Sequence, residues 1–126
     1  MVQTWLNNRK FKTELLYRKS KDGSTPDDFH KKCDNKGTTI TFIETNKGYK
    51  FGGYTELQWD TYSNCKKDNL TFLFSFNKRK KYPIVKNNGS IYCYPTNGPR
   101  FGHTSMPEIY TTENINKVNS YVSRSY

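Results

Sequence analysis

Carboxylates are scarce in this chain: 11 Asp and Glu stand against 21 Lys and Arg over 126 residues, a formal net charge of +10. They are also spread out, so no paired-carboxylate signature for acid–base catalysis is present. No G-x-G-x-x-G, Walker loop or helix-turn-helix pattern occurs. Long apolar runs are missing too. Nothing approaches the roughly 18 consecutive apolar residues of a spanning helix, and no secretory hydrophobic segment is seen, so neither export nor membrane spanning has support. Cysteines are few: Cys33, Cys65 and Cys93 form no C-x-x-C pair, and their odd number leaves at least one free thiol. That usage suits a reducing compartment, hence an intracellular setting, cytoplasmic or on an organelle-associated complex. The sequons Asn69-Leu70-Thr71 and Asn88-Gly89-Ser90 are then accidental.

Aliphatic side chains are also sparse. The hydrophobic fraction is 33% and the mean hydropathy −0.99, values that lean towards disorder. The aromatic residues oppose this reading. Ten Tyr, eight Phe and two Trp can bury large areas, so the expected core is aromatic and intolerant of truncation. The positive charge favours an anionic partner (nucleic acid, an acidic membrane face or an acidic protein), although dispersed charge also serves solubility alone.

Along the chain, Trp5-Leu6 open a short amphipathic lead-in whose Trp docks on the domain, and Phe11–Arg18 reads as a first strand ended by Asp22-Gly23. A helix follows: Thr25 caps, Pro26 suits the first helical position, and Asp27 and Asp28 complement the positive helix end. Phe29 and Cys33 share its buried face, and Asp34 to Gly37 stops it. Thr38–Glu44 is a β-branched strand, Asn46-Lys47-Gly48 a hairpin turn, and Tyr49–Tyr54 the return. Gly52-Gly53 inside that return predicts a bulge or a close packing partner. After Trp59, residues 60–69 read as a polar loop carrying Cys65. Leu70, Phe72, Phe74 and Phe76 alternate with Thr71, Leu73 and Ser75, which places this strand in the centre of the core. Tyr82–Lys86 and Ile91–Tyr94 read as a hairpin through Asn88-Gly89. Ile109-Tyr110-Thr111 reads as a last short strand, and Glu113–Tyr126 is left unassigned. The leading fold is mainly β: an antiparallel two-sheet β-sandwich with one or two short helices at its edge, in a single domain.

Few constellations carry chemistry. His30 and Cys33 sit three apart on the helix, yet a metal site needs more ligands than the chain offers, so Cys33 is expected to be structural and His30 a surface or capping residue. Cys93 reads as a packed thiol. Cys65, beside Lys66-Lys67, is the candidate redox residue, because adjacent lysines favour the thiolate. Lys78-Arg79-Lys80-Lys81, with Lys86 and Arg100, form a candidate anion contact, and Tyr82, Tyr92 and Tyr94 offer stacking faces. A solvated hairpin turn is the simpler account. Nucleic acid is thus a conceivable but disfavoured partner.

Three stretches in one order carry a family resemblance: Leu15-Leu16-Tyr17-Arg18-Lys19-Ser20-Lys21-Asp22-Gly23, Asp28-Phe29-His30-Lys31-Lys32-Cys33-Asp34-Asn35-Lys36-Gly37, and Phe51-Gly52-Gly53-Tyr54-Thr55. Leu73-Phe74-Ser75, Lys81-Tyr82-Pro83, Ile91-Tyr92-Cys93 and Gly98-Pro99-Arg100-Phe101-Gly102 extend it, and Glu108-Ile109-Tyr110 stands where a similar acidic-led triplet is usual. From about Trp5 to Asn114 the chain resembles the TLDc domain of the oxidation-resistance proteins, most of all its protist branch. The resemblance implies a β-sandwich acting through protein contacts, with no cofactor and no turnover. It also implies links to protection against oxidative damage and to the peripheral part of the vacuolar-type proton pump. Re-use of the scaffold as a structural subunit of another large assembly is the alternative. Arg18, Asp22, Gly23, Phe29, Cys33, Asp34, Gly37, Gly52, Gly53 and Tyr54 would mainly build the fold, with Arg18 and Asp22 pinning the first strand to the helix start. Two departures stand out: His103-Thr104-Ser105-Met106-Pro107 replaces a glycine-rich run, and the family's final strands are expected to lie beyond Tyr126.

Overall fold

The computed structural model describes residues 2–83, 89–102, 107–110 and 118–125. Three short helices, α1 (Val2–Trp5), α2 (Lys19–Asp22) and α3 (Pro26–Cys33), accompany ten strands. The strands are β1 (Thr13–Arg18), β2 (Thr39–Thr45), β3 (Lys50–Thr55), β4 (Asn64–Lys66), β5 (Phe72–Ser75), β6 (Lys80–Pro83), β7 (Ile91–Cys93), β8 (Arg100–Gly102), β9 (Pro107–Tyr110) and β10 (Val118–Ser125). They form a six-stranded sheet, β1-β10-β2-β3-β5-β6, and a four-stranded one, β4-β7-β8-β9. Every strand pair in both sheets is antiparallel. The mainly β, two-sheet architecture expected from the strand pattern is therefore what the chain adopts.

Helix α3 starts as its sequence dictates. The Thr25 hydroxyl accepts from the Asp28 N–H (3.2 Å), and the Asp28 carboxylate accepts from the Thr25 N–H (3.2 Å) and hydroxyl (2.8 Å), a complete capping box with Pro26 in its first turn. Those bonds hold the Asp28 carboxyl below its ordinary pKa. The helix buries Phe29 and Cys33 as expected.

Alternation divides the aromatic residues between two cores. Inside the sandwich, Tyr17, Phe29, Cys33, Trp59, Ile91, Cys93 and Phe101 cluster with Leu16, Leu57 and Leu73 at their border. Phe29 meets Trp59 edge-on at 5.6 Å and Trp59 meets Phe101 at 5.5 Å. On the opposite face of the six-stranded sheet, Ile40, Tyr54, Phe72 and Phe74 are covered by Leu6 and Trp5 of the N-terminal lead-in. Gly52 and Gly53 join the two cores. In register, Gly52 lies between Phe42 and Phe74, whose rings meet at 5.6 Å over it. A Cβ at Gly52 would collide with the Thr41 carbonyl, while one at Gly53 would enter the Phe101 ring. The register runs unbroken through both glycines, so the pair marks close packing and not a bulge.

Four expectations need correction. Residues 64–66, inside the expected polar loop, form β4 against β7. Residues 118–125 form β10, a polar strand held between β1 and β2 by main-chain pairing on both sides. Residues 82–83 and 91–93 are not a hairpin: β6 pairs with β5 in one sheet and β7 with β4 and β8 in the other. Finally, Phe72 and Phe74 of β5 are in the core as expected, but Leu70 lies outside the strand and is exposed.

Candidate functional site

The residues singled out for the fold occupy connected positions. Asp22 accepts from the Arg18 main-chain N–H (2.8 Å), closing α2 onto the end of β1. Gly23, with φ +110°, ends α2, and its carbonyl accepts the Tyr17 hydroxyl (2.6 Å). Burial pushes the Tyr17 pKa up to about 12. Tyr54 is likewise raised to about 12 by burial and by the Glu56 carboxylate its hydroxyl donates to (2.7 Å). Trp59 donates Nε1–H to the Thr39 hydroxyl (3.0 Å) inside the sandwich, and its carbonyl accepts the Asn35 N–H (2.9 Å).

His30 departs from the expected surface or capping role. It is 6% exposed, with Nδ1 2.6 Å from Asp34 Oδ1 and Nε2 2.8 Å from both the Tyr94 and Asn97 carbonyls. Two carbonyl acceptors therefore face Nε2, and a carboxylate oxygen faces Nδ1. Burial raises the Asp34 pKa while the His30 contact opposes it. The imidazole thus ties the C-terminal turn of α3 to the loop after β7. Sequence reasoning missed this because the partners are carbonyls more than sixty positions away.

The three thiols are free and differ in setting. Cys33 and Cys93 are buried; desolvation raises the Cys33 pKa far above its ordinary value and that of Cys93 to about 11, which keeps both protonated. Cys65 is half-buried in β4 opposite Tyr92. Its neighbour Lys66 faces the other way and is held by Asp60 (2.6 Å) and the Gln58 carbonyl (2.6 Å), so its charge serves that buried pair. Among the described residues, no group of three or more His, Cys, Asp or Glu is placed to hold a metal ion.

The basic candidates do not share one surface. Arg100 lies in β8 of the smaller sheet, over the Tyr92 ring at 5.0 Å and bonded to Asn97 (3.2 Å). Tyr92 and Tyr94 stack at 4.8 Å beside it. Lys81 is occupied: its ammonium sits 4.3 Å above the Phe72 ring and donates to the Trp5 carbonyl (2.9 Å), fastening the N-terminal lead-in to the sheet. Lys86 lies outside the described residues. Lys78, Arg79 and Lys80 are exposed on the β5–β6 turn, and a second turn joins them. Asn77 Oδ1 accepts the Lys50 N–H (2.6 Å), its amide reaches the Gly48 carbonyl (3.5 Å), and Phe76 N–H bonds to the Lys50 carbonyl (2.9 Å). The β2–β3 turn carrying Lys47 and the exposed Tyr49 is thereby locked beside the basic turn. Arg79 has φ +49°, a left-handed conformation about 1 kcal/mol worse for such a residue than for glycine.

Compared with known families, the whole chain, residues 1–126, matches the model of the TLDc domain. No curated protein matches it. The chain therefore belongs to the TLDc family.

Proposed function

We propose that this TLDc domain is a non-enzymatic interaction module that works inside the cell by binding a protein partner. The observation that carries the reading is the family match along the whole chain. The chemistry of the described residues supports it. Two of the three thiols are buried and held protonated, and the buried His30 imidazole has both nitrogens engaged in holding α3. The motif residues Arg18, Asp22, Gly23, Phe29, Gly52 and Gly53 serve turns, caps and packing, which leaves the exposed surface to make contacts. The partner we propose is the peripheral part of the vacuolar-type proton pump, and protection against oxidative damage is the accompanying role. No helix among the described residues is long and apolar enough to cross a membrane, which suits recruitment through a protein.

The test is affinity purification from cross-linked native extract, at moderate and at high salt, with partners identified by mass spectrometry. Pump subunits retained at high salt are the expected result. Retention of an unrelated complex instead would replace the pump with a structural role in that assembly. Recovery of no partner at either salt would sink the module reading.

A further inference from the structure

We propose that the tip built from the β2–β3 and β5–β6 turns docks a short acidic segment of the partner protein; the inference rests on the interaction-module reading above and assigns the surface it would use. Three independent observations converge on this tip. Charge is the first. Lys47, Lys78 and Arg79 are exposed and have no carboxylate partner among the described residues, and Lys80 has only the Tyr82 ring, 5.3 Å away. Glu44, the acid at this end of β2 among the described residues, is 3.8 Å from Lys50. Exposed cations gathered on two adjoining turns favour an anionic occupant.

Backbone conformation is the second. Arg79 occupies the left-handed position of its turn (φ +49°), where glycine or asparagine is the ordinary solution. Glycine would relax the backbone there, whereas arginine sets a long exposed cation on the turn. Because Asn77 bonds to both Lys50 and Gly48, the two turns are fixed relative to one another, and little order has to be gained on binding.

The third is an apolar cleft of about 250 Å³ lined by Phe42, Ile43, Glu44, Lys50, Phe51 and Phe76, which opens at the same end of the sheet. Its walls identify the occupant. Four neighbouring strands at about 4.8 Å spacing give a tip some 14 Å wide, the length of about four extended residues. That fits a short peptide whose carboxylates meet Lys47, Lys78 and Arg79 while one aliphatic or aromatic side chain enters the cleft. A nucleic acid track needs a longer line of cations and stacking faces, and Glu44 in the cleft wall reserves the cleft for an uncharged side chain.

A displayed library of random short peptides selected on the full chain tests the proposal. The winners should be rich in Asp and Glu and carry a Leu, Phe or similar residue. Binding of a labelled winner, followed by fluorescence anisotropy, should weaken with salt and fall about tenfold in Arg79→Gly and in Lys78→Glu. Arg79→Gly should melt at or above the wild-type temperature, which separates lost contact from lost fold. Winners without net negative charge, no enrichment at all, or variants that bind like wild type would overturn it. So would tighter binding to oligo(dT) or to phosphatidylserine vesicles than to the selected peptides. The extract experiment stays distinguishable: partners retained unchanged by Arg79→Gly refute the tip and leave the module reading standing, whereas peptide selection can succeed even if the pump is not the partner.

Discussion

Replacing Gly53 by alanine adds one methyl group where β3 of the larger sheet faces the Phe101 ring of the smaller one. The new Cβ would lie 2.5, 2.6 and 2.7 Å from three carbons of the Phe101 ring, far inside ordinary contact distance. The ring has little room to retreat: Phe101 is 1% exposed and meets Trp59, itself fully buried, edge-on at 5.5 Å. Overpacking of this kind costs about 1–3 kcal/mol, and a blocked retreat puts this site near the upper end. Alanine recovers about 0.5–1 kcal/mol by restricting the unfolded chain, so the net loss should be about 2 kcal/mol. For a domain of this size that lowers the melting temperature by roughly 8 °C. Phe101→Leu alone should lose about 1–2 kcal/mol through lost burial. Combined with Gly53→Ala it should lose much less than the sum, because the added methyl then occupies vacated space; a coupling energy of at least about 1 kcal/mol is expected. Urea and thermal unfolding of the four proteins in the cycle measure all three quantities. Additive effects, or a Gly53→Ala protein within about 0.5 kcal/mol of wild type, would refute the close-packing account.

Alkaline titration should unfold the protein steeply. With folded pKa values near 12 for Tyr17 and Tyr54 against an ordinary 10, their contribution is intact below pH 10 and is lost as pH rises towards 12, at about 2 kcal/mol per hydroxyl; Tyr17→Phe should flatten part of that slope in urea midpoints measured against pH, and an unchanged slope would refute the assignment. In the native state a disulfide-exchange reagent should label Cys65 alone, with Cys33 and Cys93 reacting only after denaturation; equal labelling rates would contradict their burial. His30→Ala should lower stability by about 3 kcal/mol, since it strands the Asp34 carboxyl and the Tyr94 and Asn97 carbonyls without a donor; a loss under about 1 kcal/mol in urea unfolding would show that water replaces the imidazole freely.

Features that depend on neighbours in the chain were legible. The Thr25-Pro26 start of α3, the buried pair Phe29 and Cys33, the hairpin at Asn46-Lys47-Gly48 and the alternation through Phe72 and Phe74 all follow from spacing and local hydrogen bonding. Gly52-Gly53 announced a close approach, although its partners, Phe74 on one face and Phe101 on the other, are set by sheet order. Strand β10 was hidden because Val118–Ser125 is mostly polar and takes its place from main-chain pairing with β1 and β2. The Asn88-Gly89 segment misled for the opposite reason. A strong local turn signal says nothing about whether the strands on either side pair with each other, and here they lie in separate sheets.

The same distinction governs the surface. A run of four cations looks like one unit in sequence, yet the fold divides it. Lys81 turns inward to hold Trp5 and Phe72, and Lys78, Arg79 and Lys80 are left outside with Lys47, thirty-one positions before Lys78 in the chain. What unites Lys47 with the basic turn is Asn77, whose side chain bonds across to Lys50 and Gly48. Nothing in the spacing of Lys47 and Lys78 signals that bridge, because it depends on β3 pairing with β5. Motif residues such as Asp22, Gly23, Phe29, Gly52 and Gly53 serve turns and packing, whereas the basic tip is built from turns that meet only through the sheet order.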